Sequence, residues 1–502
     1  MTDKPLLHAN PFESAAARRV YLVREERMRT LGEVERGLLR LGQMPDLARW
    51  VEQITATGGC AQPVYLAGES TTYDPVTGEV LRRYTTRDEP GERLAVRCRN
   101  RRAARCEPCS WQYQGDTWQL VRAGLAGGKG VPADVRTHPM VFLTLTAPSF
   151  GRVHRAGECH AARPGGCGHG ASLGCGGVHR DADPVVGQPL CPGCYDYAGH
   201  VLWNGHASAL WKAFGDNLYH HLAVRAGVGR SAVRKLVRVS AAKVAEYQRR
   251  GVVHFHAVLR LDGPDGPGEA PAPWATVALL LEAVRSAAAA VALRAPESAA
   301  YGSRRLRFGE QLDAHPITGG DGVLSDERVA GYVAKYTTKS AAEAGAVDRR
   351  VTSVAEIRAL RVSAHVRALV GMCWRLGGLL ELGHLRLKLW AHMLGYRGHC
   401  LTKTRRYSTT FRELRGERAE HARAVSGRAL FTSDEAVTVG SWRFVGSGLG
   451  PAEMLIAAGI ADDLKRTREI ARDHLPFGWV GGARRAPWRA GGGGHAGTAD
   501  DG

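Results

Sequence analysis

Cysteine is the residue whose distribution most restricts how this chain can fold. The sequence has 502 residues and eleven cysteines, of which nine lie between Cys60 and Cys194. We expect a cytoplasmic protein, and disulfides seldom persist in that reducing compartment. The clustered thiols therefore indicate bound metal, whereas the isolated Cys373 and Cys400 are expected to be core or neutral residues.

The first cysteine group has the spacing of a zinc knuckle. Cys106 and Cys109 form a C-x-x-C pair, Cys98 precedes them, and Cys60 supplies a more distant fourth thiolate. Four thiolates suit a tetrahedral structural zinc. A redox-active pair is the alternative, but the basic, tryptophan-bearing context of Cys109 favours a knuckle that presents a surface to DNA.

A second group lies in a Gly-rich stretch. Cys175 and His179 have C-x3-H spacing and Cys191 and Cys194 have C-x2-C spacing, which together predict one Cys3His zinc site. Four further residues form either a third site or unliganded parts of a flexible segment: Cys159, His160, Cys167 and His169.

The charge of the chain indicates an anionic partner. The formal net charge is +19 and the isoelectric point is about 9.7, and nucleic acid is the commonest partner of so basic a protein. A basic membrane-surface protein is the alternative. We find no run of ~18 apolar residues, and the nearest segment, Trp274–Arg294, carries Glu282 and Arg285. The N-terminus lacks the basic-then-apolar order of a secretory signal, so we expect a cytoplasmic location and no membrane partner.

Apolar patterning predicts alternating strands and helices in the middle of the chain. In order, the expected elements are strand Met140–Ala147, helix His200–Val224, strand Val233–Gln248, strand Val252–Leu261, helix Trp274–Arg294, strand Arg304–Asp313 and helix Ser325–Ala342. The order β-α-β-β-α-β is that of the ferredoxin-like arrangement, an α+β fold with an antiparallel sheet. Ser325 is expected to cap the last helix.

The fourth of these predicted elements carries two histidines that can hold one metal ion. His254 and His256 are one residue apart and therefore share a face of the strand. A turn at 249–251 pairs residue 246 with residue 254, which brings Glu246 within ~5 Å on the same face, with Gln248 nearer the turn. Two imidazoles and a carboxylate with open positions suit Mg²⁺ or Mn²⁺. The alternative is that both histidines are ordinary polar residues on a solvated face.

The last predicted helix carries two tyrosines and two lysines. Tyr332 and Tyr336 are four residues apart and share one face, while Lys335 and Lys339 line the adjacent stripe. A phenol becomes a useful nucleophile when a metal polarises the attacked phosphate and a cation stabilises the developing charge. These residues are therefore candidate catalytic groups. The alternative is that the tyrosines are core or interface anchors.

These motifs resemble those of the HUH endonuclease superfamily. Its pattern of His-hydrophobic-His followed by Tyr-x-x-Lys-Tyr is similar to His254–His256 and Tyr332–Tyr336, and its Thr-interleaved first motif is similar to Phe142–Thr146. The resemblance implies a ferredoxin-like HUH nuclease domain that nicks one DNA strand and stays joined to it through tyrosine. It also implies a catalytic Mg²⁺ or Mn²⁺ on His254, His256 and Glu246.

The superfamily leaves the choice of nucleophile open. YVAKY looks like the two-tyrosine motif of the gene A initiators of small single-stranded-DNA phages, in which both tyrosines act alternately. In some rolling-circle plasmid initiators the position matching Tyr332 is Glu and the nucleophile matches Tyr336, whereas single-tyrosine members match Tyr332. We therefore name both tyrosines, with Lys335 as the charge partner.

More closely, the chain resembles the RepSA-type initiators of actinobacterial plasmids and integrative elements. The matching stretches, which span roughly residues 60–410, are NRRAARCEPCSWQY, VFLTLTAPSFGRVH, LCPGCYDYAGHVLWN, EYQRRGVVHFHAVLRLDG, VAGYVAKYTTK and HMLGYRGHCLTKTRRYST. Zinc fingers of the kind expected here are not part of the minimal HUH domain.

This closer resemblance implies rolling-circle replication. The expected reaction forms a 5′-phosphotyrosine link on single-stranded or extruded origin DNA and frees a 3′-OH primer. We expect host helicase and polymerase as further partners. A two-tyrosine HUH transposase and a zinc-finger DNA-binding regulator without catalysis are the alternatives that the sequence leaves open.

Two basic segments are candidate DNA contacts, because cations hold phosphate and interleaved aromatic rings can stack on bases. The first contains Arg99, Arg101, Arg102 and Arg105, and the second contains Arg397, Lys403, Arg405 and Arg406 with Tyr396, His399 and Tyr407. Solvated basic loops are the alternative for both.

The expected domain organisation has five parts. They are a helical segment at 1–56, a zinc-binding, DNA-contacting region at 57–135, the HUH nuclease domain at 136–345 with a zinc-binding insertion at 155–197, a mainly helical basic part at 346–478 and a disordered tail at 479–502.

Overall fold

The structure of the chain is a computed structural model. The structure describes residues 29–161, 165–318, 325–339, 341–425 and 436–473, with 18, 19, 22, 23 and 26. The expected tail at 479–502 and most of the first 28 residues lie outside these ranges.

The described helices and strands follow one another in this way. The helices are α1 (Glu33–Gly42), α2 (Leu47–Ala56), α3 (Glu107–Ala126), α4 (Tyr197–Ala226), α5 (Val233–Leu236), α6 (Val277–Ala289), α7 (Asp326–Thr337), α8 (Val354–Ala359), α9 (Ala364–Leu376), α10 (Phe411–Val425) and α11 (Pro451–Asp473). The strands are β1 (Val64–Tyr73), β2 (Val80–Thr85), β3 (Leu94–Val96), β4 (Met140–Leu145), β5 (Gly157–Glu158), β6 (Val178–His179), β7 (Arg238–Tyr247), β8 (Val253–Asp262), β9 (Leu293–Arg294), β10 (Arg305–Leu306), β11 (Leu312–Pro316), β12 (Leu401–Lys403) and β13 (Val437–Ser447).

The central sheet has the strand order β11-β4-β8-β7-β12, and every neighbouring pair is antiparallel. Apolar residues on both faces of β7 and β8 are buried, so the middle of the sheet is covered on both sides. The molecule is thus a mixed α+β structure, as the patterning predicted at this coarse level.

Alternate residues of the central strands divide between two cores, because successive side chains of a strand point to opposite faces. Phe255 and Leu259 of β8 join the core that contains α4 and α6. Val258 of β8 and Val244 of β7 join the core that contains α3 and α7. The face of β8 that carries His254 and His256 is therefore the face covered by α3 and α7.

Three predicted elements differ from the structure. Residues 233–236 form the helix α5, so β7 begins only at Arg238. The predicted strand Arg304–Asp313 is two strands: β10 pairs with β9 outside the sheet, and β11 joins β4. Residues 401–403, in a segment expected to be mainly helical, supply the edge strand β12.

A second sheet lies in the N-terminal half and was not predicted. Its strand β1 pairs with β2, β3 and β13, all antiparallel, so a strand from the C-terminal part completes it. Trp50 and Ile54 of α2 and Ala457 of α11 pack with Tyr65 of β1 in a small separate core. Among the described residues, no helix combines the length and apolar character needed to cross a bilayer.

Candidate metal and tyrosine site

Glu246, His254 and His256 meet on the α3/α7 face of the central sheet. The β7–β8 register places Glu246 directly opposite His254, as the 249–251 turn predicted. Oε2 of Glu246 lies 3.0 Å from Nε2 of His254 and 3.1 Å from Nε2 of His256. Adjacent ligands of an octahedral ion bound at about 2.1 Å lie about 3.0 Å apart, so these separations fit one Mg²⁺ or Mn²⁺.

The two imidazoles are enclosed. The side chain of His254 is 14% exposed and that of His256 is 3% exposed, so the alternative of a solvated polar face is wrong. Oγ1 of Thr144, opposite His256 in the β4–β8 register, lies 3.0 Å from Nδ1 of His256. This contact fixes the ring with Nε2 facing Glu246, as outer partners of metal-binding histidines do.

Burial and hydrogen bonding together set the protonation states of Glu246 and His256. Burial would by itself raise the pKa of the Glu246 carboxyl, but hydrogen bonds with His254 and His256 outweigh it and hold that pKa well below its ordinary value. Burial lowers the pKa of His256 to about 4 despite its bond to Glu246. The site therefore presents a carboxylate and a neutral ring near pH 7, and these are the forms that bind metal.

Both tyrosines of α7 contact this cluster. Ser325 caps the helix through its side chain, as predicted. The ring of Tyr336 stacks on His256 with centroids 5.2 Å apart, and the ring of Tyr332 meets His256 edge-on at 5.1 Å. The two tyrosine rings are 4.5 Å apart. Burial and the neighbouring Tyr336 hydroxyl raise the pKa of Tyr332 above its ordinary value.

The lysine that reaches the cluster is Lys339. Its Nζ lies 2.8 Å from Oε1 of Glu246 and 4.4 Å from the centroid of the Tyr336 ring. Lys335, which the sequence nominated as the charge partner, is exposed and its Nζ lies 5.9 Å from that ring. Helical periodicity could not place Lys339, because α7 ends at Thr337 and the residue follows the helix.

The first cysteine group comes together as predicted. Sγ of Cys60 lies 3.7 Å from Sγ of Cys106 and 3.6 Å from Sγ of Cys109, with Cys98 in the same cluster. Thiolates of a tetrahedral zinc with 2.3 Å bonds lie about 3.8 Å apart. The four sulfurs therefore have the spacing of a zinc site, which we call cluster 1.

The second group is paired differently from the prediction. Cys175 and His179 gather with His154 and Cys159, and we call these four residues cluster 2. Cluster 3 consists of Cys167, His169, Cys191 and Cys194. The single Cys3His site and the third site containing His160 were both wrong: Nε2 of His160 lies 3.1 Å from the carbonyl oxygen of Val153 instead.

The comparison with protein families decides the class of protein. Residues 46–462 match the family described as "RepSA: Replication initiator protein, pSAM2". The chain belongs to the RepSA family of replication initiators. It is also similar to a replication initiator protein of Streptomyces ambofaciens, with 46% identity over 454 residues, 88% of this chain and 95% of that protein. No solved structure gives a significant match.

Within this RepSA-family chain, most of the first basic segment is engaged by the protein itself. Arg101 donates to the backbone oxygens of Thr337 and Lys339, at the end of the tyrosine helix. Arg102 and Arg105 both pair with Asp348. These three arginines therefore have partners within the protein, and their contact with DNA stays a prediction. Arg101 joins cluster 1 to the tyrosine helix.

The two tyrosine rings of the second basic segment do not form a stacking surface. Tyr407 is fully buried and its hydroxyl donates to the carbonyl oxygen of Val121. Tyr396 is also buried, and its hydroxyl donates to the carbonyl oxygen of His399. Stacking of bases on these two rings, which the sequence suggested, is wrong because the core already covers them.

Proposed function

We propose that this replication initiator nicks one strand of origin DNA by a metal-dependent tyrosine transesterification. The observation that carries the proposal is the convergence of Oε2 of Glu246 with both histidine Nε2 atoms beside two tyrosine rings. Titratable groups with strongly shifted pKa values beside candidate nucleophiles are typical of catalytic sites. A DNA-binding regulator without catalysis would need none of this arrangement.

The topology supports an HUH nuclease domain. In the β-α-β-β-α-β order of the chain, the four strands of the motif are β4, β7, β8 and β11. Apart from the added edge strand β12, they lie in the sheet in the order β11-β4-β8-β7, which is 4-1-3-2 in motif numbering. That is the antiparallel order of a ferredoxin-like sheet. The histidines lie on its central strand β8, and the tyrosine helix α7 follows its last strand.

Glu246, His254 and His256 would hold the divalent cation. When bound, Mg²⁺ or Mn²⁺ would polarise a phosphodiester and neutralise charge that develops on its oxygens. Thr144 keeps His256 turned towards that position. Lys339 bonds to the other carboxylate oxygen, Oε1, and places a cation beside Tyr336, where the phenolate character of an attacking tyrosine is stabilised.

The strand-transfer step conserves the number of phosphate ester bonds. The phenolic oxygen of Tyr336 or Tyr332 forms a bond to phosphorus, the bond from phosphorus to the 3′ oxygen breaks, and the phenolic proton is lost as the 3′ oxygen gains one. The products are a 5′-phosphotyrosine and a 3′-OH that can prime synthesis. Because the two rings are adjacent, the second tyrosine can repeat the exchange while the first still holds DNA.

Cluster 1 completes the proposal as a structural zinc site. All four ligands are cysteines, so no position is left open for substrate, which is the arrangement of structural rather than catalytic zinc. Arg101 lies between two of the ligands in sequence and reaches the tyrosine helix. The metal would thus help to fix α7 over the sheet.

We further propose that single-stranded or extruded origin DNA is the substrate, and that host helicase and polymerase use the nicked product in rolling-circle replication. The family and the similar Streptomyces ambofaciens protein are both described as replication initiators. A DNA polymerase requires a free 3′-OH, which this reaction would generate.

A denaturing-gel assay tests the proposal. The full chain is incubated with end-labelled single-stranded origin DNA and Mn²⁺, and we expect a nicked product together with a slow-migrating covalent adduct. The double variant Tyr332→Phe/Tyr336→Phe should give neither, while the control Tyr73→Phe, in the other sheet, should behave as wild type. Nicking without any adduct, or adduct in the double variant, would refute the mechanism.

A further inference from the structure

The ligands of clusters 2 and 3 alternate along the chain in pairs. The pairs are His154 and Cys159, then Cys167 and His169, then Cys175 and His179, then Cys191 and Cys194. The first and third pairs come together in cluster 2, and the second and fourth come together in cluster 3. Each cluster therefore closes a loop that contains ligands of the other.

Cluster 2 has the dimensions of a two-histidine, two-cysteine zinc site. Nε2 of His179 lies 3.3 Å from Nδ1 of His154 and 3.3 Å from Sγ of Cys175, and Sγ of Cys159 lies 3.8 Å from Nδ1 of His154. A tetrahedral zinc with nitrogen and sulfur ligands at about 2.0–2.3 Å requires ligand separations of about 3.3–3.8 Å. The short strands β5 and β6 pair next to these ligands and hold them together.

Cluster 3 has the same dimensions with one histidine and three cysteines. Sγ of Cys167 lies 3.5 Å from Sγ of Cys191, and Nδ1 of His169 lies 3.3 Å from Sγ of Cys194. A 3-10 turn at Pro192–Cys194 brings the last two thiols to one side. The imidazole of His169 also occupies the space beside Gly193, where a Cβ would lie 2.6 Å from the ring.

We propose that the eight side chains of clusters 2 and 3, spread over the segment between residues 154 and 194, bind two zinc ions in a cross-braced arrangement, one ion in each cluster. The described part of this segment contributes few side chains to the hydrophobic cores apart from its ends. Such a segment cannot bury enough apolar surface to offset the entropy of ordering. Two ions that each tie distant pairs together supply the missing stabilisation, as structural zinc does in small domains.

This segment is attached to the hairpin that carries the candidate site. A Cβ at Gly187 would lie 2.5 Å from the carbonyl carbon of Arg249, so the backbones meet closely at the β7–β8 turn. Just after Cys194, the Asp196 side chain caps α4. The Asn204 side chain of α4 donates to the carbonyl oxygen of Gly251 and accepts from the N–H of Val253, where the turn ends and β8 begins. The two ions are thus placed to support the hairpin that aligns Glu246 with His254, independently of the nicking chemistry.

Native mass spectrometry of the full chain tests the number of ions. Counting cluster 1, we expect three zinc ions per chain. The double variant Cys159→Ser/Cys175→Ser removes ligands of one cluster and should lose one ion. The double variant Cys159→Ser/Cys167→Ser removes ligands of both and should lose two. The matched control His160→Ala should keep all three, because that ring contacts a carbonyl oxygen.

Two outcomes would overturn the cross-brace. A sequential arrangement, with 154–169 on one ion and 175–194 on the other, would exchange the losses of the two double variants. Fewer than three zinc ions in the wild-type protein would show that at least one of the three clusters does not bind zinc.

A second measurement avoids the variants in case they fail to fold. Wild-type protein is titrated with a chelator, the freed thiols are alkylated, and the modified peptides are identified by mass spectrometry. We expect Cys159 and Cys175 to become reactive together, and Cys167, Cys191 and Cys194 to become reactive together. Co-release of Cys175 with Cys191 and Cys194, as a sequential site would give, or full alkylation before chelation, would contradict the proposal.

Discussion

Cluster 1 and the histidine cluster on β8 are both candidate metal sites, but they are built for different tasks. Cluster 1 has four protein ligands and buries three of them, Cys60, Cys106 and Cys109. The cluster of Glu246, His254 and His256 has three protein ligands and two tyrosine rings beside it. A closed set of ligands stabilises a fold, whereas an open set leaves positions for substrate. Under the proposed function, a metal at cluster 1 would stabilise the fold, whereas a metal at the histidine cluster would act on DNA.

The largest effect is expected from cluster 1. Cys106→Ser should abolish zinc binding there and prevent stable folding of the N-terminal region, because structural zinc contributes roughly 10–16 kcal/mol to folding. Thermal unfolding followed by circular dichroism measures this, with exposed Arg99→Ala as the control. A variant that unfolds at the wild-type temperature would show that cluster 1 is not a structural metal site.

The histidine cluster should respond in the opposite way. His256→Ala should lower the nicking rate by more than about a hundredfold, because losing only an outer partner of such a ligand already costs about 10–100-fold. The melting temperature and duplex-DNA binding should change little, since the candidate zinc clusters and the two basic segments remain. Nicking at the wild-type rate would show that the histidine cluster takes no part in the reaction. Global unfolding would show that this cluster, like cluster 1, stabilises the fold.

The two lysines give a smaller and more selective test. Lys339→Ala should lower the nicking rate by about tenfold, in line with the worth of one charge-assisted hydrogen bond, because Lys339 bonds to Glu246. Lys335→Ala, in an exposed position on the same helix, is the matched control and should change the rate by less than about twofold. The reverse ranking would restore Lys335 as the charge partner that the sequence motif suggests.

The smallest effect on the nicking rate is expected from Arg101, which connects cluster 1 to the tyrosine helix α7. Arg101 donates to the backbone oxygens at the end of α7, so Arg101→Ala should loosen Lys339 and lower the nicking rate by about threefold, since modest misplacement is enough to slow catalysis. Zinc content should stay at the wild-type value. If Arg101→Ala instead released zinc and left nicking unchanged, Arg101 would stabilise cluster 1 only and would have no effect on the tyrosine helix.

The sequence predicted the local parts of the molecule well. The short turn at 249–251 determines the β7–β8 register, so Glu246 could be placed opposite His254 without a structure. The C-x-x-C pair at Cys106 and Cys109 likewise identified cluster 1, including the distant Cys60. Both features depend on residues close together in the chain: a short turn sets the register of its hairpin, and a C-x-x-C spacing indicates a metal site.

Long-range and interleaved arrangements could not be predicted in this way. Eight candidate ligands of two chemical types between residues 154 and 194 allow several pairings of equal quality. His154 was missed because it lies one residue before the predicted insertion at 155–197. The sequence did contain a signal for His154: the candidate ligands occur in four successive pairs, and His154 is needed to complete the first pair with Cys159. The edge strands β12 and β13 join sheets formed far earlier in the chain, and such pairings leave little trace in local patterning.

The central claim, that a tyrosine of α7 attacks DNA at the histidine cluster, is tested most directly by mapping the covalent adduct. The trapped complex is digested and the nucleotide-bearing peptide is sequenced by mass spectrometry. We predict linkage at Tyr336 in the first turnover, because its ring stacks on His256 and Lys339 lies over it. We expect linkage at Tyr332 only after a second exchange. Linkage at any residue other than Tyr332 and Tyr336 would contradict the account.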